Sequence, residues 1–318
     1  MEIKKIQIGQ IQTDNNVFLA PMAGYTDYAY RKICLSLGAG MAFTELTSAK
    51  GIIYDSKNTK VLLKKSANGI TGAQLFGSEP DVVKEACLSD WLADYDIIDI
   101  NMGCPVPKVY KNGEGSALLA DILKAEKVVK SAVSSGKTIT VKIRIGLSEK
   151  SPFITEEYAK MIEASGAKML TVHGRTRERY YSGDVHFEEI YKAKNAVSIP
   201  VIANGGIFTV EDADLMIAKT GADGVMLARG GIADPYLFSK LTGKQVDLPI
   251  EDLINTQIDL MLEDFSDRFV TLNMRKFFVY YFKGKKNMRE LCKLLYQAED
   301  TTSMRDILHK NINIIDQI

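Results

Sequence analysis

The chain has 318 residues, 46% of them hydrophobic and 25% charged, with 40 Lys+Arg against 40 Asp+Glu. That profile fits a folded globule with room for one large domain and an appendage, and it excludes disordered, collagen-like and low-complexity chains. Neutral overall charge gives no sign by itself of a polyanionic partner.

Near the start, Met1-Glu2-Ile3-Lys4-Lys5 leads into no apolar run and no small-residue cleavage site, so a secretory signal is not expected. No stretch approaches the roughly 18 consecutive apolar residues of a membrane helix. Cys34, Cys87, Cys104 and Cys292 show no CxxC or CxxH spacing. A zinc site and a disulfide framework are therefore not expected, and a reducing cytoplasm is.

Eight short apolar runs follow in chain order: Val17–Pro21, Met41–Leu46, Ile70–Phe76, Asp96–Asn101, Ile139–Ile145, Lys168–His173, Ile199–Asn204 and Asp223–Ala228. Helix-length amphipathic segments lie between most of them, among them Pro80–Leu92, Ser116–Ser135, Thr155–Ala164 and Val210–Lys219. Gly38, Gly136, Gly166 and Gly221 follow helical segments, where a left-handed terminal residue is wanted. The second unit is the least regular, and Thr47–Lys65 reads as a loop and one short helix. Repeated β–α units mean parallel strands with crossover helices, and eight of them within about 240 residues predict a closed (β/α)8 TIM barrel. The alternation stops after about Leu241. Ile250–Phe265, Leu272–Phe282, Met288–Ala298 and Met304–Ile315 read as helices, so the expected division is a barrel over 1–243 and a small helical domain over 244–318.

Active sites of such barrels lie at the C-terminal ends of the strands. Those ends carry Pro21-Met22-Ala23, Gln74, Asn101-Met102-Gly103-Cys104-Pro105, Lys142 and Arg144, His173-Gly174-Arg175, Asn204-Gly205-Gly206 and Ala228-Arg229-Gly230-Gly231. Alternation along Val141–Ile145 turns Lys142 and Arg144 into the barrel and the aliphatics outward, and Thr171 and His173 follow the same rule. Buried cations need anionic or electron-rich partners. A ligand would serve, and so would an internal salt bridge from Lys142 to Asp99 or Glu45. The glycine-rich ends of the last two strands suit a phosphate, which a close backbone can approach, with Arg229 as a charged clamp. Cys104 is either a small buried hydrophobe or, from a rigid loop over the mouth, a proton donor, since a thiol with a pKa of about 8.5 is mostly protonated at neutral pH. The other cysteines fall in predicted helices. His186 and His309 have no evident partner and read as surface residues.

Charge is unevenly distributed near the end. Glu251 to Asp267 holds six acids and no base, whereas Arg268 to Lys293 holds eight bases and one acid, a net of +7. This is either a solvated helix face or a phosphate-binding footprint. The tightly spaced aromatics Phe277, Phe278, Tyr280, Tyr281 and Phe282 divide between core packing and stacking on a ligand.

Taken together, Ala20-Pro21-Met22-Ala23-Gly24-Tyr25-Thr26-Asp27, Gln74-Leu75-Phe76-Gly77, Asp99-Ile100-Asn101-Met102-Gly103-Cys104-Pro105, Val141-Lys142-Ile143-Arg144, His173-Gly174-Arg175-Thr176 and Ile202-Ala203-Asn204-Gly205 resemble the tRNA-dihydrouridine synthases over nearly the whole chain. The resemblance implies an FMN-binding barrel with a C-terminal helical tRNA-binding domain. Pro21, Met22 and Ala23 would line the flavin, Gln74 and Lys142 would contact its ring with His173 beside them, and Asn204, Gly205, Gly206, Ala228 and Arg229 would hold its phosphate. Asn101 would orient the uracil, Cys104 would be the proton donor, and Arg144 and Arg175 would border the substrate. Arg275 and Lys276 would contact RNA. The implied reaction is reduction of the uridine C5–C6 bond to 5,6-dihydrouridine, with hydride from flavin N5 to C6, a proton from Cys104 to C5, and re-reduction by NADPH or NADH. The expected partner is tRNA, with no metal, no membrane and no protein partner inferred. The family's usual Asp and Gly are replaced by Gly206 and Ala228, which removes a carboxylate and adds a methyl group. Alternative readings are a dihydroorotate dehydrogenase-like flavoenzyme acting on a free pyrimidine, or a catalytically silent RNA-binding module.

Overall fold

A computed structural model describes residues 1–65, 69–283 and 288–311. The first strands, β1 (Gln7–Ile8) and β2 (Ile11–Gln12), form an antiparallel hairpin that the sequence did not announce. Then follow β3 (Val17–Leu19), β4 (Met41–Phe43), a two-residue β5 (Thr47–Ser48), β6 (Thr71–Phe76), β7 (Ile97–Met102), β8 (Thr138–Arg144), β9 (Leu170–His173), β10 (Val201–Asn204) and β11 (Gly224–Leu227). Each barrel strand pairs in parallel with the next, β4 pairs with β6, and β11 pairs with β3, so eight strands close on themselves. The TIM barrel expected from the eight runs is the fold. The short β5 is an extra pairing beside the end of β6.

Two apolar layers result from the period of two along each strand. Val141, Ile143, Leu170, Val172, Val201 and Ala203 face the helices and join the main core. Phe18, Met41, Phe43, Ile97, Met169, Ile202 and Met226 face inward and pack with Ile6 and Ile8 of the N-terminal segment. The hairpin thus closes the N-terminal end of the barrel with aliphatic side chains, leaving only the opposite end for polar groups.

The connecting helices start and stop where local chemistry dictates. The helix Val210–Thr220 is capped by a reciprocal Thr209–Asp212 box and ends at Gly221 with φ +63°. Thr155–Ala164 is helical as expected. Pro80–Leu92 is a helix to Leu88 followed by a 3₁₀ turn, and Ser116–Ser135 divides into a 3₁₀ turn at Gly115–Ala120 and a helix at Ile122–Val133. Thr47–Lys65 holds two short helices, Ala49–Ile53 and Lys57–Leu62, where one was expected.

Beyond the barrel lie helices Ile250–Leu262, Asp267–Tyr281, Met288–Gln297 and Thr301–Lys310. The second begins five residues before the expected Leu272 because Ser266 caps it by accepting from the Phe269 N–H. The expected end of the last helix, 312–315, lies outside the described residues. Ile250–Leu262 packs on the helix Tyr28–Ser36, and Asp267–Tyr281 packs on Arg229–Ala233, so the helical segment shares one apolar core with the barrel. Phe277, Phe278, Tyr281 and Phe282 lie in that core at 0–3% exposure, which leaves Tyr280 as the one partly exposed member of the aromatic run. Among the described residues no helix is long and apolar enough to cross a membrane.

Candidate active site

Strand register assembles the site. Gln74 lies beside Asp99, Asn101 beside Lys142, and His173 beside both Arg144 and Asn204. These inward residues at the strand ends surround a cavity of about 430 Å³ at the barrel mouth, within the range of small-molecule sites. Its wall includes Pro21, Met22, Ala23, Gln74, Asn101, Cys104, Lys142, Arg144, His173, Arg175, Asn204, Gly205, Gly206, Ala228 and Arg229, so the strand-end residues singled out from the sequence converge on one space.

A directional chain of hydrogen bonds runs along one side. Buried Asp99 accepts from Thr140 Oγ1 at 2.6 Å and from Gln74 Nε2 at 2.7 Å. Gln74 Oε1 then accepts from Asn101 Nδ2 at 2.9 Å, and Asn101 Oδ1 accepts from the backbone N–H groups of Gly103 and Cys104 at 3.1 and 2.9 Å. An ionised carboxylate only accepts, so Asp99 orients both amides in turn. Its complete burial raises the carboxyl to about 6 against the pull of Gln74, Thr140 and Lys142. The chain ends at Cys104, whose carbonyl accepts from Ser116 N and Oγ. Burial raises the Cys104 thiol, outweighing the Val106 N–H and Arg144 that favour a thiolate, so the group facing the cavity is protonated.

On the other side, Lys142 Nζ donates to Asn204 Oδ1 at 3.0 Å, and Asn204 Nδ2 donates to the Met226 carbonyl at 2.8 Å. The internal salt bridge left open by the sequence does not form: Asp99 is taken by Gln74 and Thr140, and Glu45 accepts from the Gly24 N–H. Burial, with Arg144 nearby, lowers the Lys142 ammonium to about 7. His173 is held well below its ordinary range by burial, with Arg144, Lys142, Arg175 and Arg229 adding repulsion, so its imidazole is neutral. Asn204, expected among the phosphate contacts, has its amide turned to the lysine.

Three arginines fasten the loop after β9. Arg144 Nη1 donates to the carbonyls of Thr176 and Tyr180 at 2.9 and 2.8 Å, Arg175 Nε to Gly183 at 3.0 Å, and Arg229 Nη2 to Tyr181 at 3.1 Å. The Arg229 guanidinium lies 4.7 Å from the Tyr181 ring centroid. Gly205 and Gly206 have φ of +116° and +71°, and a Cβ at Gly205 would come within 2.8 Å of His173, so glycine is required there by both conformation and space. Among its lining residues the cavity has three arginines, the lysine lowered to about 7, and no carboxylate. That donor set suits a ligand that is anionic at one end and electron-rich beside Lys142.

Strand-end reading missed Tyr181, Phe208, Tyr25 and Tyr280, which also line the cavity. The first two lie a few residues further into loops already singled out; Tyr280 comes from a remote helix, and no local signal ties it to the mouth. Lys276 lies by the rim, its Nζ 5.0 Å from the Tyr25 ring centroid, whereas Arg275 Nη2 turns to the Ala298 carbonyl at 3.3 Å. His186 has a partner after all, Glu149 at 3.0 Å, and His309 meets Glu251 at 3.3 Å. Cys34 and Cys87 are buried in helices, and among the described residues no group of three or more His, Cys, Asp or Glu could hold a metal.

Residues 18–316 match the family model described as "Dihydrouridine synthase (Dus)". The chain is 37% identical over 300 residues to a "Probable tRNA-dihydrouridine synthase" of Rickettsia conorii, covering 90% of this chain and 89% of that protein. It is 40% identical over 238 residues to "tRNA-dihydrouridine synthase B" of Pasteurella multocida, covering 73% and 70%. Among solved structures, a morphinone reductase in complex with tetrahydroNAD superposes with a TM-score of 0.53 at 13% identity, covering 77% of this chain and 92% of that one, a likeness of fold.

Proposed function

From a chain that belongs to the dihydrouridine synthase family, we propose an FMN-dependent oxidoreductase that reduces the C5–C6 bond of specific tRNA uridines to 5,6-dihydrouridine. The observation that carries this reading is the mouth cavity itself, where a protonated Cys104 thiol shares one wall system with Lys142, His173 and a carboxylate-free set of arginines. In this reading residues 1–243 are the catalytic barrel and 244–318 the tRNA-binding part.

Pro21, Met22 and Ala23 would line the flavin, Gln74, Lys142 and His173 would meet its ring, and Gly205, Gly206, Ala228 and Arg229 would hold its phosphate. FMN, when bound, supplies the hydride for C6 of the uracil, and NADPH or NADH restores it. Lys142 places positive charge beside the electron-rich ring, and Asn204 keeps that ammonium pointed into the barrel. Negative charge developing toward C5 and O4 is met by the Cys104 proton. The S–H bond breaks as the C5–H bond forms, and the thiolate left behind is stabilised by Arg144 and the Val106 N–H until solvent reprotonates it. Asn101 shapes the Cys104 loop while bordering the uracil, and Arg144 and Arg175 border the rest of the nucleoside. A uridine stacked within tRNA cannot enter the mouth, so it is extruded while the remainder is held through its backbone. Lys276 at the rim, with Arg275 behind it, contributes to that hold.

The test is mass mapping of dihydrouridine in tRNA from cells lacking this protein, before and after complementation, together with turnover by the purified protein. Flavin absorbance near 450 nm (an order-of-magnitude expectation) and restored dihydrouridine are expected. Turnover of a free pyrimidine with no tRNA product would favour the dihydroorotate dehydrogenase-like alternative, and a colourless protein that binds RNA without turnover would favour the silent module.

A further inference from the structure

The cavity mouth is built across the junction between the barrel and the helices that follow it. Tyr25, in the turn after β3, meets two rings of the helix Asp267–Tyr281 edge-on. Its centroid is 5.5 Å from that of Phe277 at an interplanar angle of 78°, and 5.7 Å from that of Tyr280 at 89°. The rings at 277 and 280 have different surroundings. Phe277 is wholly buried, whereas Tyr280 is partly exposed and, with Tyr25, lines the cavity. Lys276 holds Tyr25 from a third side, and its ammonium is itself attracted by Asp27 and Glu45.

Tyr280 is set apart from its neighbours by position: Phe277, Phe278 and Tyr281 are buried in the core, with the Tyr281 hydroxyl donating to Gln257 Oε1 at 2.6 Å, whereas the Tyr280 ring stands partly exposed on the cavity wall. A phenol at the open end of a cavity offers a flat apolar face with a polar edge, the complement of a nucleoside. The ring also comes from the segment whose cations are proposed to hold the RNA.

We propose that Tyr280, braced by Tyr25, is a substrate-positioning residue that the helical segment contributes to the mouth: its ring is the wall against which the extruded uridine nucleoside rests. The proposal deepens the function proposed above and rests on it. RNA seating and mouth geometry are then coupled, because one rigid helix carries both.

Removing residues 244–318 would strip core from the barrel, so the test uses point variants of the full chain, Tyr280→Phe, Tyr280→Leu and Tyr280→Ala. The readouts are steady-state kinetics with tRNA, tRNA affinity by fluorescence anisotropy, flavin-to-protein absorbance ratio and Tm. A contact made alike in ground and transition states acts on KM rather than kcat. Tyr280→Ala and Tyr280→Leu are expected to raise KM and Kd for tRNA about 10-fold, the order for loss of one base–aromatic contact, with kcat, flavin content and Tm nearly unchanged. Tyr280→Phe keeps the ring and stays within about threefold. Unchanged KM and Kd in the Leu and Ala variants would overturn the proposal, as would losses of flavin and Tm that track the loss of affinity. A wild-type protein that makes no dihydrouridine removes the parent reading and this one together, whereas an active wild type with indifferent variants removes this one alone.

Discussion

The backbone N–H of Cys104 donates to Asn101 Oδ1 at 2.9 Å, so the loop that presents the thiol is positioned by a side chain three residues earlier. That amide is in turn oriented by Gln74 and Asp99. Replacing Asn101 by Leu leaves the Gly103 and Cys104 donors without their acceptor, at about 1–3 kcal/mol for each buried unpaired group. Urea unfolding should show a loss of up to about 6 kcal/mol for the two partly buried donors together, with a faster Cys104 alkylation rate as the loop loosens. Unaltered stability and alkylation would show that the loop holds itself.

Cys104→Ala should bind FMN and tRNA as the wild type does while dihydrouridine formation falls by about 10²–10⁴, the range for loss of a positioned general acid. Because burial holds the thiol protonated, iodoacetamide should react with Cys104 more slowly than with free cysteine at pH 8 and accelerate as pH rises further. Wild-type product yield from the alanine variant would assign the proton to another group.

Lys142 gives a pH signature. Its ammonium is lowered to about 7, whereas an unfolded lysine titrates near ~10.4. Between these values the unfolded chain holds more protons than the folded protein, so this group makes stability rise with pH across that window and contributes no slope below it. Lys142→Met removes the buried cation. The wild type should therefore gain on the variant in urea midpoint from pH 7 to pH 9, whichever is the more stable at pH 7, and a pH-independent difference would contradict the assignment.

Gly205→Ala should be disproportionately harmful for one methyl group. Its φ of +116° is strained for alanine, by about 1–3 kcal/mol, and the new Cβ would press on His173 at 2.8 Å. Lower Tm and reduced flavin content are expected, and retention of both would mean that the loop relaxes freely.

RNA binding should depend on salt. Replacing Lys276 by Ala should weaken tRNA affinity and lower the salt slope by about one phosphate contact. Arg275→Ala should do less to the slope, because its guanidinium is bonded to the Ala298 carbonyl. Equal slopes for wild type and Lys276→Ala would remove that lysine from the interface.

Most of the barrel was legible in the sequence because its signals are local. Period-two alternation turned Lys142, Arg144 and His173 inward, glycines marked helix ends, and eight runs fixed the strand count. The helical boundaries near Leu272 and within Thr47–Lys65 were less legible, since a single cap such as Ser266 or a short apolar pair decides them.

What only the tertiary structure decided is which groups meet. Composition and spacing allowed Lys142 to pair with Asp99 or Glu45; strand register and side-chain reach gave it Asn204 and gave Asp99 to Gln74 and Thr140. They likewise left open which of the five aromatics near Phe277 pack in the core and which meet a ligand, until the packing of one helix on the barrel buried four and left Tyr280 beside Tyr25. Local periodicity specifies the direction a side chain faces, but contacts between residues 255 positions apart depend on how closed sheets and docked helices bring their surfaces together.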